Sequence, residues 1–288
     1  MKSYITKEEV GQMFRSDHQR NSSISGTSRF FALLAGLLVI SGCSVLQSEH
    51  FTLQADLPAN FKFSGDAYYA PAAGQDCTVP GTGSPRAPDR KYFETDYRPE
   101  AHRVEFQVPL TARVGGCALV LNSMRIDLRG KWREDRPNQV NSHSDFASLS
   151  FRDELPAGYS GMPASGEKVL RGQCTWLFRT VGPQRYIAKI LQCRGLDEQG
   201  QVLKRLPGGA LQRDQLAGQT VRLVIGLAAE EKPAVDDNWV KFPNGWKRCM
   251  GDGLDDQYGF CRGNTTDFKS FRMTGGRECT IYPGCTEE

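Results

Sequence analysis

From Phe51 onward, apolar and polar positions alternate with a period of two, in runs better suited to strands than to helices. His102 to Leu110 sets Val104, Phe106 and Val108 against Arg103, Glu105 and Gln107, the pattern of a strand with one buried face. After the turn-like Gly115-Gly116 the rhythm continues through Leu119, Leu121, Met124, Ile126 and Leu128, so these segments read as an antiparallel pair. Thr175–Phe178 and Tyr186–Leu191 flank Val181-Gly182-Pro183, which predicts a hairpin with Cys174 and Cys193 at its open ends. Val221, Leu223, Ile225 and Leu227 alternate cleanly, and Phe271–Met273 with Cys279–Tyr282 supply shorter candidates. Helical spacing is confined to Leu206–Leu216, where Pro207-Gly208-Gly209 restricts it to the later part. The expected fold is therefore mostly β: antiparallel, sandwich-like domains stapled by disulfides.

Two long stretches read as surface excursions. One is 72–90, with Pro80, Gly81, Gly83, Pro85 and Pro88; the other is 139–166, which mixes Ser, Asn, Pro and Gly. A soft boundary near Gly195–Gly209 predicts a first β-rich domain over 59–200 and a smaller one over 201–288.

The N-terminal pattern is different. Phe30–Ile40 is apolar or small throughout, follows Arg20 and Arg29, and ends at Leu38-Val39-Ile40-Ser41-Gly42-Cys43. A charged region, a short apolar run and small residues at the cut describe a secretory signal. The run is too short for a spanning helix, which needs about 20 residues. The small-small-Cys ending resembles the bacterial lipobox. That resemblance implies cleavage after Gly42, a diacylglyceryl thioether on Cys43, and a lipidated tether over 43–58. Two or three acyl chains would make the anchorage effectively permanent, and Ser44 in place of Asp favours the outer membrane. Translation from Met1 or from Met13 yields the same mature product.

Cleavage removes five of the 36 Lys and Arg and three of the 33 Asp and Glu, leaving 31 against 30. A chain so nearly neutral, with no basic block, has no electrostatic case for nucleic acid. Apolar residues at 39% and aromatics at 10% suffice for a packed core. Apart from Cys43, eight cysteines remain, an even number in a chain bound for an oxidising compartment. The absence of any C-x-x-C argues against zinc. Of the about 105 possible pairings, nearest neighbours are expected: Cys77 with Cys117, Cys174 with Cys193, Cys249 with Cys261, and Cys279 with Cys285.

Catalytic signals are sparse. His50 falls in the expected tether, His102 opens a strand, and His143-Ser144-Asp145 offers two ligand atoms in an apparent loop. Gly158–Met162 misses the nucleophile elbow at Met162, and Gly251–Asp256 lacks the alternating ligands of a calcium loop. No cofactor, metal or small-molecule substrate is expected, and the chain reads as a non-enzyme.

Recognition has better candidates. Asp236–Trp246 and Asp252–Phe260 combine acids with aromatic residues of the kind that dominate binding hot spots. Asp237, Trp239, Trp246, Asp252, Asp255, Asp256 and Tyr258 are the candidate partner-binding residues. Alternatively, Trp239, Phe242 and Trp246 fill a second core and the aspartates initiate turns. A bridge between Cys249 and Cys261 would preorganise the second loop.

The lipobox at Cys43, Asp66–Tyr69 through Cys77–Pro80, Val108-Pro109-Leu110 and Gly115–Leu119 together resemble the periplasmic immunity lipoproteins paired with phospholipase toxins of the type VI secretion system, of the phospholipase D class. The likeness runs over the mature chain, and its last ninety or so residues share cysteine richness more than sequence. It implies a non-catalytic inhibitor whose partner is the incoming toxin. A carboxylate-bearing loop would occupy the basic, phosphate-holding pocket, with Asp252, Asp255 and Asp256 approaching it and Trp246 and Tyr258 as anchors. An envelope assembly lipoprotein, and a membrane-held hydrolase pairing His102 or His143 with a carboxylate, are the competing readings.

Overall fold

Alternation becomes pairing in the computed structural model, which describes residues 49–75, 77, 90–132, 142–253, 256 and 258–286. The strands, in chain order, are β1 (His50–Leu57), β2 (Phe61–Pro71), β3 (Arg90–Glu94), β4 (His102–Pro109), β5 (Thr111–Val114), β6 (Cys117–Lys131), β7 (Ser142–Arg152), β8 (Glu167–Val181) and β9 (Tyr186–Gly195). They continue with β10 (Gly208–Gln212), β11 (Thr220–Leu227), β12 (Lys232–Pro233), β13 (Trp239–Phe242), β14 (Gly245–Arg248), β15 (Phe271–Arg272) and β16 (Glu278–Cys279).

An eight-stranded sheet runs β16-β15-β9-β8-β11-β1-β4, with β12 also on β8; a six-stranded sheet runs β10-β7-β6-β2-β3, with β5 also on β6. Their apolar faces meet, as the cross-sheet ring pairs Phe51–Phe151 at 5.6 Å and Phe63–Phe106 at 5.0 Å show. The chain passes between sheets at Leu110. Its N–H donates to Glu49 O at 2.8 Å on one side, and its carbonyl accepts Leu121 N–H at 2.9 Å on the other. The expected β8–β9 hairpin forms, but His102–Leu110 and Leu119–Leu128 do not pair: β4 joins β1 in the larger sheet, β6 joins β2 and β7 in the smaller, and Gly115-Gly116, both at positive φ, turns the short β5 into β6 instead. All four expected disulfides are present, closing separations of 40, 19, 12 and 6 residues.

The expected mostly β, largely antiparallel fold is present, with five parallel pairings within it among the described residues: β1 with β11, β11 with β8, β12 with β8, β15 with β9, and β10 with β7. Several other expectations need correction. Residues 50–57 are no tether: β1 lies inside the larger sheet between β4 and β11, with Phe51, Leu53, Ala55 and Leu57 buried. The expected boundary at 200–201 is bridged, because β11 is hydrogen-bonded between β8 and β1, and Leu46–Glu288 cluster as one compact unit. Within 139–166, residues 142–152 form β7, whose Ala147, Leu149 and Phe151 are buried while serines alternate outward. The stretch expected to turn helical holds β10, followed by a single 3-10 turn over Arg213–Gln215. Cys43 and Asp255 lie outside the described residues.

The long β8–β9 hairpin serves two cores. Cys174 and Trp176 face the sandwich interior, whereas Phe178 and Ile187, farther out, belong to a second cluster with Trp239, Phe271, Cys279, Tyr282 and Cys285. This C-terminal knob is tied to the hairpin by buried Lys189, which bonds Glu231 and the Tyr282 hydroxyl.

Candidate functional site

The knob carries six of the seven candidate contact residues, and two arginines organise it. Arg248, at the end of β14, is 1% exposed. Its Nε donates to Thr180 Oγ1 at 3.1 Å, and its Nη1 donates to the carbonyls of Asn238 at 2.9 Å and Gly259 at 2.6 Å. Nη2 donates to Tyr258 O. Burial pushes this guanidinium down to about 10, and neighbouring Arg185 acts in the same direction; Arg248 is still charged at neutral pH. Arg185, also buried, donates to Asp256 O. Together the two cations hold the carbonyls of the loop that Cys249–Cys261 closes. Gly259 fits against Arg248 only because it lacks a side chain: its φ is +54°, and a Cβ would lie 2.6 Å from Nη1.

That loop displays Tyr258, 64% exposed, with its ring nearly parallel to Phe260 at 6.3 Å. The expected carboxylates behave differently. Asp256 turns inward and accepts N–H bonds from Tyr258 at 2.9 Å and Asp252 at 3.1 Å. Backbone N–H donation, from Gly259 first and Asp252 next, holds its carboxyl below the ordinary value against the opposing effect of desolvation. Asp252 accepts from Arg262 Nη1 at 2.7 Å with both oxygens. Asp237, at φ +58°, accepts Arg262 N–H at 3.2 Å through its carboxylate and Cys261 N–H at 2.6 Å through its carbonyl. Three acids expected to meet a partner are thus engaged in shaping the loop.

Trp239 is 6% exposed and packs edge-on against Phe178 at 5.1 Å and Phe271 at 5.2 Å. It is a core residue, because β13 pairs with β14 and turns this position toward the β8–β9 hairpin. Trp246, half-buried, keeps a free margin and sits 6.1 Å from Phe178. Beside it lies an acid that sequence reasoning treated only as part of a loop: Asp236 is exposed and has no bonded partner among the described residues.

Two grooves flank residues 235–239. One, about 300 Å³, lies between Arg179–Gly182 and the Tyr258–Phe260 pair; the other, about 340 Å³, is lined by Trp239, Trp246, Asp236 and Glu230. A larger cleft of about 510 Å³ lies away from the knob, between the starts of β8 and β10, where Lys168 is spent on the carbonyls of Ser160 and Gly161.

The histidines do not assemble a site. His143 is on β7, edge-on to Trp176 at 6.1 Å, and burial lowers its pKa. Asp145 is engaged elsewhere, accepting Cys193 N–H at 2.6 Å on the outer edge of β9. Among the described residues no three His, Cys, Asp or Glu side chains converge as metal ligands. No protein-family model, no curated protein and no solved structure matches the chain.

Proposed function

We propose that this chain is a lipid-anchored periplasmic immunity protein that binds a type VI phospholipase toxin through its C-terminal knob and occludes the toxin's active site. The observation that carries the reading is the display of Tyr258 on a loop fixed by a disulfide and two buried guanidiniums. A large aromatic side chain exposed on a rigid support loses little entropy on docking. Phe260 lies beside it, and Trp246 and Asp236 line the groove on the other flank of residues 235–239 of the same knob.

An inhibitor of this kind needs occupancy and slow release, not a reacting group. A face of about 800 Å² per partner with buried aromatic anchors is the usual means. The resemblance carried by the lipobox and by the segments around Cys77 and Cys117 supports the location and the partner class.

The test pairs this chain with the effector encoded beside its gene. Cells exporting the effector should survive when they also export this chain, and the purified pair should form a complex with suppressed phospholipase activity. Tyr258→Ala should weaken that complex about 30-fold, the loss typical of an aromatic hot spot. Absence of both protection and complex would refute the proposal. Cys43→Ser should release the chain from membranes, and unaltered membrane association would refute the anchor.

A further inference from the structure

We propose that the groove between Trp239, Trp246 and Asp236 receives a lysine or arginine side chain of the partner protein, at the place over the Trp246 ring that Lys241 holds in the free chain. The inference deepens the proposed function and rests on the knob being the binding face.

The chain itself demonstrates the chemistry of the slot. Lys241 Nζ bonds Glu230 and stands 5.5 Å from the centre of the Trp246 ring, so ring and carboxylate already hold an ammonium between them. Lys241 and Glu230 are 53% and 56% exposed, and ion pairs so open to water are weak and readily exchanged. Around the groove stand three carboxylates, Glu230, Asp236 and Asp237, against two ammoniums, Lys232 and Lys241. Asp237 is turned to the backbone of Arg262, whereas Asp236 has no partner among the described residues. The groove therefore retains one unmatched negative charge beside an aromatic face.

A second observation narrows the ligand. Trp239 lines the same groove and is nine-tenths buried, and its indole N–H, closed off from solvent in the free chain, has no acceptor among the described residues. A metal ion or a polyamine brings no acceptor to it. A cation carried on a polypeptide brings the carbonyl of its own backbone, which reaches the indole only where docking opens the groove. The occupant that serves ring and carboxylate, and the indole once opened, is a lysine or arginine within a polypeptide.

The full-length chain should be titrated with acetyl-arginine methylamide, acetyl-lysine methylamide and, as the uncharged isostere, acetyl-citrulline methylamide, following the Trp239 and Trp246 indole N–H resonances. Saturable shifts of both indoles are expected, with arginine preferred to citrulline by about five-fold. Asp236→Asn should erase most of that preference. Lys241→Gln, by removing the internal competitor, should tighten arginine binding by about two- to five-fold, while Lys232→Gln changes it less. All three substitutions are at exposed positions. Equal response to citrulline, or no gain from Lys241→Gln beyond that from Lys232→Gln, would overturn the slot. These titrations need no toxin, so their failure leaves the immunity reading open to its own test. Conversely, an effector the chain does not bind would remove that reading whatever the amides show.

Discussion

Replacing Arg248 by methionine tests what holds the knob together. Methionine keeps much of the aliphatic stem and deletes the guanidinium. At least four acceptors then lose a guanidinium donor: the carbonyls of Asn238, Tyr258 and Gly259, and the hydroxyl of Thr180. Hydrogen bonds to a charged group contribute about 1.5–3 kcal/mol each, a gross loss on the order of 6–12 kcal/mol. Against this, the variant no longer buries a cation, which relieves several kcal/mol. The expected net loss is about 3–5 kcal/mol, a large share of the ~5–15 kcal/mol that stabilises a typical domain. Urea unfolding followed by tryptophan fluorescence would measure it, since Trp239 and Trp246 both sit in the affected region. Amide exchange at Tyr258 and Gly259 should accelerate even under native conditions. Arg248→Lys should recover only part of the loss, because a single ammonium nitrogen cannot replace the three guanidinium nitrogens that reach Thr180, Asn238, Gly259 and Tyr258. A methionine variant within about 1 kcal/mol of the parent, with unchanged exchange at both amides, would refute the reasoning and assign the loop's rigidity to its disulfide.

Three other outcomes follow from the same geometry. Gly208→Ala should destabilise by about 2 kcal/mol or more, because at φ +113° its Cβ would lie 2.0 Å from Ser148 O; Gly200→Ala, at φ +80° with nothing within 4 Å, should cost less, and comparing urea midpoints decides. Removing Cys249–Cys261 by a double Ser substitution should cost about 3 kcal/mol and raise proteolysis within 250–260 while leaving the β8–β9 hairpin intact. Asp56 is held below its ordinary 3.8 by Arg103 first, with Arg222 also lowering it against desolvation. Its contribution to stability is therefore complete above that value and is lost as pH falls through the lower folded one, so the parent and Asp56→Asn should differ in stability at pH 6 and converge at acid pH.

The strands were legible where one face is apolar and the other polar. His102–Leu110 and Val221–Leu227 declare themselves by period alone, and the cysteines at the ends of the 174–193 hairpin identify partners facing each other. Residues 142–152 show the limit: serine on the outward face and Asn, Ser and Pro nearby imitate loop composition, although Ala147, Leu149 and Phe151 keep the beat. Residues 51–57 have the same beat, but closeness to Cys43 argues for a stem, and only pairing with β4 and β11 decides otherwise. Pairing across more than a hundred residues leaves no local trace, which is why the boundary near 200 has no structural counterpart. At the knob, composition pointed to the right segment but could not say which acids face outward. Asp252 and Asp256 bond within residues 252–262, Asp237 bonds across to Arg262, and no spacing rule distinguishes them from Asp236. Arg248 gave no sign either, since a lone arginine after tryptophan and lysine reads as surface.

The place of β1 also governs when the molecule can assemble. Leu53 lies opposite Phe106 on one side and Val221 on the other, so the earliest of the described strands is completed by β11, far along the chain. Closing so long a span is slow relative to forming local hairpins. Until residues near 227 arrive, the leading strand has an unfilled flank and the larger sheet stays in two pieces. For a polypeptide threaded through a membrane as proposed, the delay keeps the larger sheet unlocked until residues near 227 have emerged, while local hairpins such as β8–β9 can close before then.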